Sequence, residues 1–147
     1  DEYFMNQAIA LAKEAAEEGE VPVGAVVVLD GKIVGAGRNR REISKNALAH
    51  AEIEAINEAC RALGGWRLWQ CDMYVTLEPC PMCTGAIINS RIKRLVYGAS
   101  DYKAGSCGSV VDLFSLPYNH KPEVVSGVMQ EECAALLTDF FKKLRKK

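Results

Sequence analysis

Apolar residues at Phe4, Ala8, Leu11, Ala12 and Ala15 recur at helical spacing, which predicts an amphipathic helix that Gly19 ends. Two short apolar runs follow, Gly24 to Leu29 and Ile33 to Gly37, and the Asp30-Gly31 pair between them signals a hairpin turn. Arg38 to Ala49 is polar and reads as a loop. Ile53, Ile56, Ala59, Cys60 and Leu63 restore helical spacing until Gly64-Gly65. Met73 to Leu77 reads as a buried strand. Pro81 to Ser90 reads as a helix with proline at its favoured first position. Leu95 to Gly98 is a further strand, and Asp101 to Gly108 is a loop. Val110 to Phe114 is expected to be a short helical stretch, Glu123 to Val128 the last strand, and Gln130 to Arg145 a closing amphipathic helix. Strands alternating with helices in this way predict an α/β sheet covered by helices.

The chain has 147 residues, of which 49% are hydrophobic and 25% charged, as expected of one soluble globular domain with a real core. No apolar run approaches the roughly 20 residues of a membrane helix, and the start shows no basic leader before an apolar stretch. These features lead us to expect a cytoplasmic protein with no membrane partner. Six cysteines do not change that expectation, because Cys60, Cys71, Cys107 and Cys133 are scattered among apolar neighbours, where free cysteine behaves as a small hydrophobe. Charge is uneven. The last six residues, Lys142-Lys143-Leu144-Arg145-Lys146-Lys147, carry five positive charges, so the rest of the chain is net negative. Arg38, Arg40, Arg41 and Lys45, opposed by Glu42, add a second basic segment. Together the two could form a track for phosphates, although each charge taken singly is more simply a solvated surface group.

Chemistry concentrates in His50-Ala51-Glu52 and Pro79-Cys80-Pro81-Met82-Cys83. His50, Cys80 and Cys83 supply three corners of a zinc tetrahedron, and catalytic zinc sites keep the fourth for water. Cys80 and Cys83, three apart at a helix start, face the same way and can chelate one ion. His50 and Glu52 are two apart and can serve one pocket only if their helix aims its N-terminal end at the site. The metal is therefore expected between two helix N-termini, whose positive ends favour thiolates. Glu52 is left free to move protons.

These residues resemble the zinc-dependent nucleoside and nucleobase deaminases, whose motif is H-x-E followed by P-C-x-x-C. The sequence is more closely similar to the bacterial tRNA-specific adenosine deaminases. That likeness runs through Glu20-Val21-Pro22-Val23-Gly24-Ala25-Val26, Gly37-Arg38-Asn39-Arg40, Ala49-His50-Ala51-Glu52-Ile53, Tyr74 to Ile87 and Asn119-His120. Glu131-Glu132-Cys133-Ala134 and Phe140-Phe141 extend it close to the C-terminus. The resemblance implies a single deaminase domain over residues 1–147, with a three-layer α/β/α fold around a five-stranded mixed sheet. It implies one zinc ion on His50, Cys80 and Cys83, with Glu52 as proton shuttle. The implied reaction is hydrolytic deamination of the wobble adenosine of a tRNA anticodon to inosine, with no DNA expected as native substrate, by a homodimer. The family also places Asn39 against the target nucleotide, Val23 in the wall of the base pocket and Asp101 beside the flanking nucleotide and its ribose. The plainer readings are a turn residue for Asn39 and a cap for Asp101. His120 is either an RNA contact or a satisfied loop histidine. Of Phe140 and Phe141, which face different ways, one belongs to the core, and Phe141 is the candidate for stacking near a flanking base.

Three alternatives stay open at the level of sequence. A closed structural zinc site needs a fourth ligand; Cys60 lies too far along its helix, while Cys71, Cys107 and His120 are not excluded by spacing. A non-catalytic, zinc-stabilised RNA-binding module would use such a site. A thioredoxin-like redox pair accounts for Cys80-x-x-Cys83 but leaves His50-Ala51-Glu52 unexplained. A deaminase of free guanine or cytosine uses a closely similar motif.

Overall fold

Up to residue 99, each predicted apolar run forms the element expected of it, with ends that move by one or two residues. The computed structural model describes residues 1–146. In chain order the elements are α1 (Glu2–Glu17), β1 (Gly24–Leu29), β2 (Lys32–Arg38), α2 (Ala51–Leu63), β3 (Asp72–Leu77), α3 (Pro81–Ser90), β4 (Arg94–Ala99), β5 (Glu123–Val125) and α4 (Gln130–Arg145). The sheet has five strands in the order β2-β1-β3-β4-β5. β1 runs antiparallel to both β2 and β3, whereas β3, β4 and β5 are parallel. This is the mixed sheet expected from the sequence.

Helices cover both faces. Ala25, Val27, Met73, Val75, Leu95 and Tyr97 point to one face and pack with Ala51, Ala55 and Ala59 of α2 and Ile87 of α3. Val26, Val28, Tyr74 and Val96 point to the other and pack with Met5, Ala8 and Ile9 of α1 and Cys133 of α4. A strand buried on both sides needs no polar alternation, which is why β1 reads as a continuous apolar run. Glycine lets the layers approach. A Cβ on Gly24 would collide with the carbonyl oxygen of Ala8 and the amide nitrogen of Ala12, both backbone atoms of α1. Gly24→Ala is therefore expected to cost about 2–3 kcal/mol of stability, as overpacking of a rigid contact does. Urea unfolding measures it, and an unchanged midpoint would mean that α1 can move aside.

Three expectations change. The stretch Val110 to Phe114 is not helical throughout; one 3₁₀ turn forms at Leu113–Ser115, started by the Asp112 carboxylate accepting from the Phe114 amide at 3.1 Å. β5 stops at Val125, not Val128, because Gly127 (φ +79°) and Met129 (φ 55°) turn the chain into α4. Cys133 is buried as expected, but Cys60 is only partly so. All six cysteines are free thiols. Of the basic tail, Lys142, Lys143, Arg145 and Lys146 are exposed, and Lys147 lies outside the described residues. Among the described residues no helix is long and apolar enough to cross a membrane.

Candidate active site

The sheet's topology decides where the site can be. β2, β3 and β4 end at one edge of the sheet, and β1 begins there, pairing Gly24 with Arg38 and Ala25 with Val75. Open α/β sheets place their ligands in the crevice beyond the carboxyl ends of their strands. The segments leaving these strands carry Asn39, Glu78 to Cys80, and Asp101, in that order.

His50 is the N-cap of α2 and Cys80 the N-cap of α3, both in extended backbone conformation. Their carbonyls accept the first helical bonds, from Glu54 at 3.1 Å and Thr84 at 2.9 Å. Pro81 at the first position of α3 fixes the backbone there, and Cys83, three residues and most of a turn after Cys80, returns to the same side. Both helix N-termini thus converge on one point, as the two-residue spacing of His50 and Glu52 predicts. His50 Nδ1 lies 3.7 Å from Cys80 Sγ and 3.5 Å from Cys83 Sγ. A tetrahedral zinc with ordinary bond lengths requires roughly 3.5–3.6 Å between its nitrogen and sulfur ligands, so the donor set fits that ion. The sequence did not reveal that Nδ1, not Nε2, is the ring nitrogen that faces the two sulfurs.

The three donors lie within 4.8 Å of one another, and among the described residues no fourth histidine, cysteine or carboxylate joins them. Cys107 is turned towards Thr84, with Sγ 3.4 Å from its hydroxyl. Among the described residues, this leaves the closed structural site without its extra ligand. Electrostatics at the cluster follow from proximity. The Cys83 thiol and then His50 hydrogen-bond to Cys80 and pull its pKa down to about 4. The Cys83 thiol is pushed up, by that same bond and by burial. His50 is raised by its bond to Cys80. Glu52, 4% exposed, is raised by burial to about 7, in the range suited to a group that both takes and returns a proton.

A cavity opens above the cluster, lined by Val21, Val23, Asn39, Arg41, Glu52 and Asp101 among others. Its volume of about 210 Å³ is below the roughly 300–1,000 Å³ of pockets that enclose a drug-sized ligand. A ring system fits inside, while a nucleotide's sugar and phosphates must lie at the rim. Val23, Asn39 and Asp101 all line this one cavity. Asn39 is anchored at both ends of its amide: Nδ2 donates to the Val21 carbonyl at 3.1 Å, and Oδ1 accepts from the Arg41 amide at 3.1 Å. Asp101 caps its own turn through Oδ1, which accepts from the amides of Lys103 and Ala104.

Two expected contacts are elsewhere. His120 sits at the opposite edge of the sheet, just before β5, and its Nε2 is 2.6 Å from the carbonyl of Ile92 at the start of β4. It is a satisfied loop histidine. Phe141 lies on α4, 41% exposed and edge-on to Phe140, and does not line the cavity. The basic loop is also less free than its charge implies. Arg38 is paired with Glu18 at 2.8 Å and Arg40 with Glu54 at 3.1 Å, which leaves Arg41 as its cation at the cavity.

Two buried glutamates escaped the sequence reading, although both lie in its motifs. Glu20, 1% exposed, accepts from the amides of Glu42 at 3.1 Å and Ile43 at 2.7 Å, and so pins the loop between Asn39 and His50. Glu78, 2% exposed, accepts from the amides of Asp101 (3.1 Å), Cys107 (3.0 Å) and Ser109 (3.1 Å) and from the Ser109 hydroxyl. Burial would raise the pKa of Glu78, but the bonds from Ser109 and the backbone amides outweigh it and hold the carboxyl below its usual range. Each opposing loop of the cavity is thus held by a carboxylate with backbone N–H partners.

Comparison with known proteins agrees with this geometry. The family model described as MafB19-like deaminase matches residues 1–145. The tRNA-specific adenosine deaminase of Bacillus subtilis is 51% identical over 148 residues, covering 100% of this chain and 92% of its own. That of Haemophilus influenzae is 49% identical, covering 99% of this chain and 85% of its own. A solved structure from work on A-to-I editing by tRNA:A34 deaminases at the wobble position of transfer RNA superposes with a TM-score of 0.89. It is 48% identical and covers 92% of this chain and 99% of its own. Guanine deaminase of Bacillus subtilis superposes with a TM-score of 0.67 at 33% identity, covering 99% of this chain and 94% of its own. Fold, donor set and relatives converge, and the chain belongs to the deaminases, in the family of bacterial tRNA-specific adenosine deaminases.

Proposed function

We propose that this chain is a zinc-dependent hydrolase that converts the wobble adenosine of a tRNA anticodon to inosine, as a single deaminase domain. The observation that carries the reading is the cluster of one imidazole and two thiols at two helix N-termini. Among the described residues it has no fourth protein ligand, and Glu52 stands beside it beneath a cavity of base size. His50 Nδ1 and the sulfurs of Cys80 and Cys83 would hold zinc, which supplies a water acidic enough to attack a ring carbon near neutral pH. Glu52 takes one proton of the attacking water and passes it to the ring nitrogen, then takes the second from the added hydroxyl and delivers it to the departing amine. In balance, adenosine and water give inosine and ammonia. Val23 walls the base, and Asn39, already fixed by Val21 and Arg41, offers its remaining amide hydrogen and lone pair to the nucleotide. Asp101 has one carboxylate oxygen left over from its turn for a ribose hydroxyl.

An RNA loop suits such a cavity because its bases are already unstacked, whereas a duplex hides the reactive carbon. The higher similarity to the tRNA deaminases than to the guanine deaminase favours RNA over a free base. The same relatives support a cytoplasmic enzyme. A homodimer is supported by an apolar surface beside α3. Trp66 and Trp69 are at least half exposed there, and the Arg91 guanidinium lies over Trp66 at 5.6 Å. Gly85 in mid-helix has nothing within 4 Å of where a Cβ would stand, leaving room for a neighbouring backbone.

The test is inosine formation on a synthetic anticodon arm, with free guanine and cytosine as alternative substrates and with a zinc chelator. We expect inosine on the RNA only, loss of turnover on chelation, and recovery on adding zinc. Deamination of a free base with none on the RNA would overturn the reading.

A further inference from the structure

Tyr102 is the most exposed of the large hydrophobic side chains described, at 80%. Such a side chain gains nothing from folding where it stands. Its position is nonetheless strictly held. Asp101 and Ala104, on either side of it, both line the cavity. The Asp101 carboxylate accepts from the amides of Lys103 (3.0 Å) and Ala104 (3.2 Å), and the Asp101 carbonyl accepts from Gly105 at 2.9 Å. The Asp101 amide itself donates to buried Glu78. A turn bonded at four points therefore presents an aromatic ring that packs on no other ring among the described residues.

We propose that Tyr102 is a specificity-determining residue: a stacking platform, at the rim of the cavity, for a base that flanks the deaminated nucleotide. This rests on the reading of the substrate as an RNA loop. The cavity takes one ring system, so the neighbouring bases of any RNA substrate lie outside it, splayed by the withdrawal of the target. An exposed ring on a rigid turn binds such a base at little entropic cost, and every base has a face to stack. Charge is placed to match. Lys103, exposed next to Tyr102, and Arg41, across the cavity, can each meet the phosphates on either side of the target. Phe141, the aromatic residue expected from the sequence to do this work, stands on a helix none of whose residues lines the cavity, whereas Tyr102 lies between two that do.

The test compares wild type, Tyr102→Ala and Tyr102→Phe on a synthetic anticodon arm. It also uses two RNAs, each lacking the base on one side of the target adenosine but keeping its sugar and phosphate. Tyr102→Ala is expected to raise KM and Kd for the intact RNA about tenfold, within the range for one base–aromatic stack, with kcat and zinc content held. Tyr102→Phe restores the affinity. On one of the two abasic RNAs the penalty of Tyr102→Ala shrinks to less than about twofold, because no base remains to stack. An unchanged KM, or the same penalty on all three RNAs, would overturn the proposal and return Tyr102 to the solvated surface. A wild-type enzyme that forms no inosine on the intact RNA would overturn the proposed function, and this inference with it. An active enzyme indifferent to Tyr102 would overturn this inference alone.

Discussion

Replacing Glu52 with glutamine is expected to reduce inosine formation by at least about a thousandfold while leaving zinc content and RNA affinity close to those of the wild type. Glutamine keeps the size and the hydrogen-bonding reach of the side chain, so the closely packed first turn of α2 is undisturbed. What it cannot do is accept a proton from water and deliver it again. The reaction needs that service at more than one step, on the attacking water, the ring nitrogen and the leaving amine, and no other carboxylate joins the donor cluster among the described residues. Glu52→Ala tests the same point less cleanly, because it also empties a buried site. Single-turnover rates, zinc by atomic emission and RNA binding by fluorescence anisotropy are the measurements. Joint loss of zinc and activity would make Glu52 a ligand and close the fourth position. Undiminished turnover would strip it of any role.

The residues of this centre were legible because their chemistry and spacing are both restrictive. Two thiols three positions apart around a helix-starting proline leave little choice of geometry, and His50 with Glu52 then demands a helix pointing at those thiols. The sheet was legible for a similar reason: β1, β3 and β4 are buried on both faces and read as unbroken apolar runs. What escaped was set by contacts between segments distant in sequence. Glu78 looks like any surface carboxylate in a sequence, and only folding brings it amide donors from positions 101, 107 and 109. Glu20 finds its partners 22 and 23 residues away. The charge of Arg38 and Arg40 was visible, but their pairing with Glu18 and Glu54 was not, so the basic loop looked freer than it is. His120 read as either an RNA contact or a satisfied loop histidine, and the parallel register of β5 beside β4 takes it to the end of the sheet opposite the cavity.

Glu78→Gln is expected to destabilise the protein by about 2–5 kcal/mol, a loss large for so small a change in shape. The carboxylate has only acceptors, and all of its partners are donors. Three backbone amides and one hydroxyl converge on two oxygens in a site that is 2% exposed. Glutamine replaces one oxygen with an amide group that brings hydrogens of its own. In one orientation that group faces the amides of Cys107 and Ser109; in the other it faces the Asp101 amide and a Ser109 hydroxyl that can turn to accept, so at least the Asp101 amide and one hydrogen of the glutamine are left unmatched. Water cannot easily relieve them, because the cradle is tight: a Cβ on Gly105 would run into the Glu78 carboxylate itself. A buried donor left without an acceptor costs about 1–3 kcal/mol, and two set the expected range. Ser109→Ala should cost less, since the hydroxyl is the one donor it removes and the Ser109 amide still binds. For a chain of this size, Glu78→Gln should lower Tm by about 2–4 °C for each kcal/mol lost. KM should rise with it, because the loop from Asp101 to Ser109 is both the clamp's cargo and one wall of the cavity. Bound zinc should persist, since no ligand touches the carboxylate. Stability within about 1 kcal/mol of the wild type would show that the amides find other acceptors, and the wall of the cavity would then need another support.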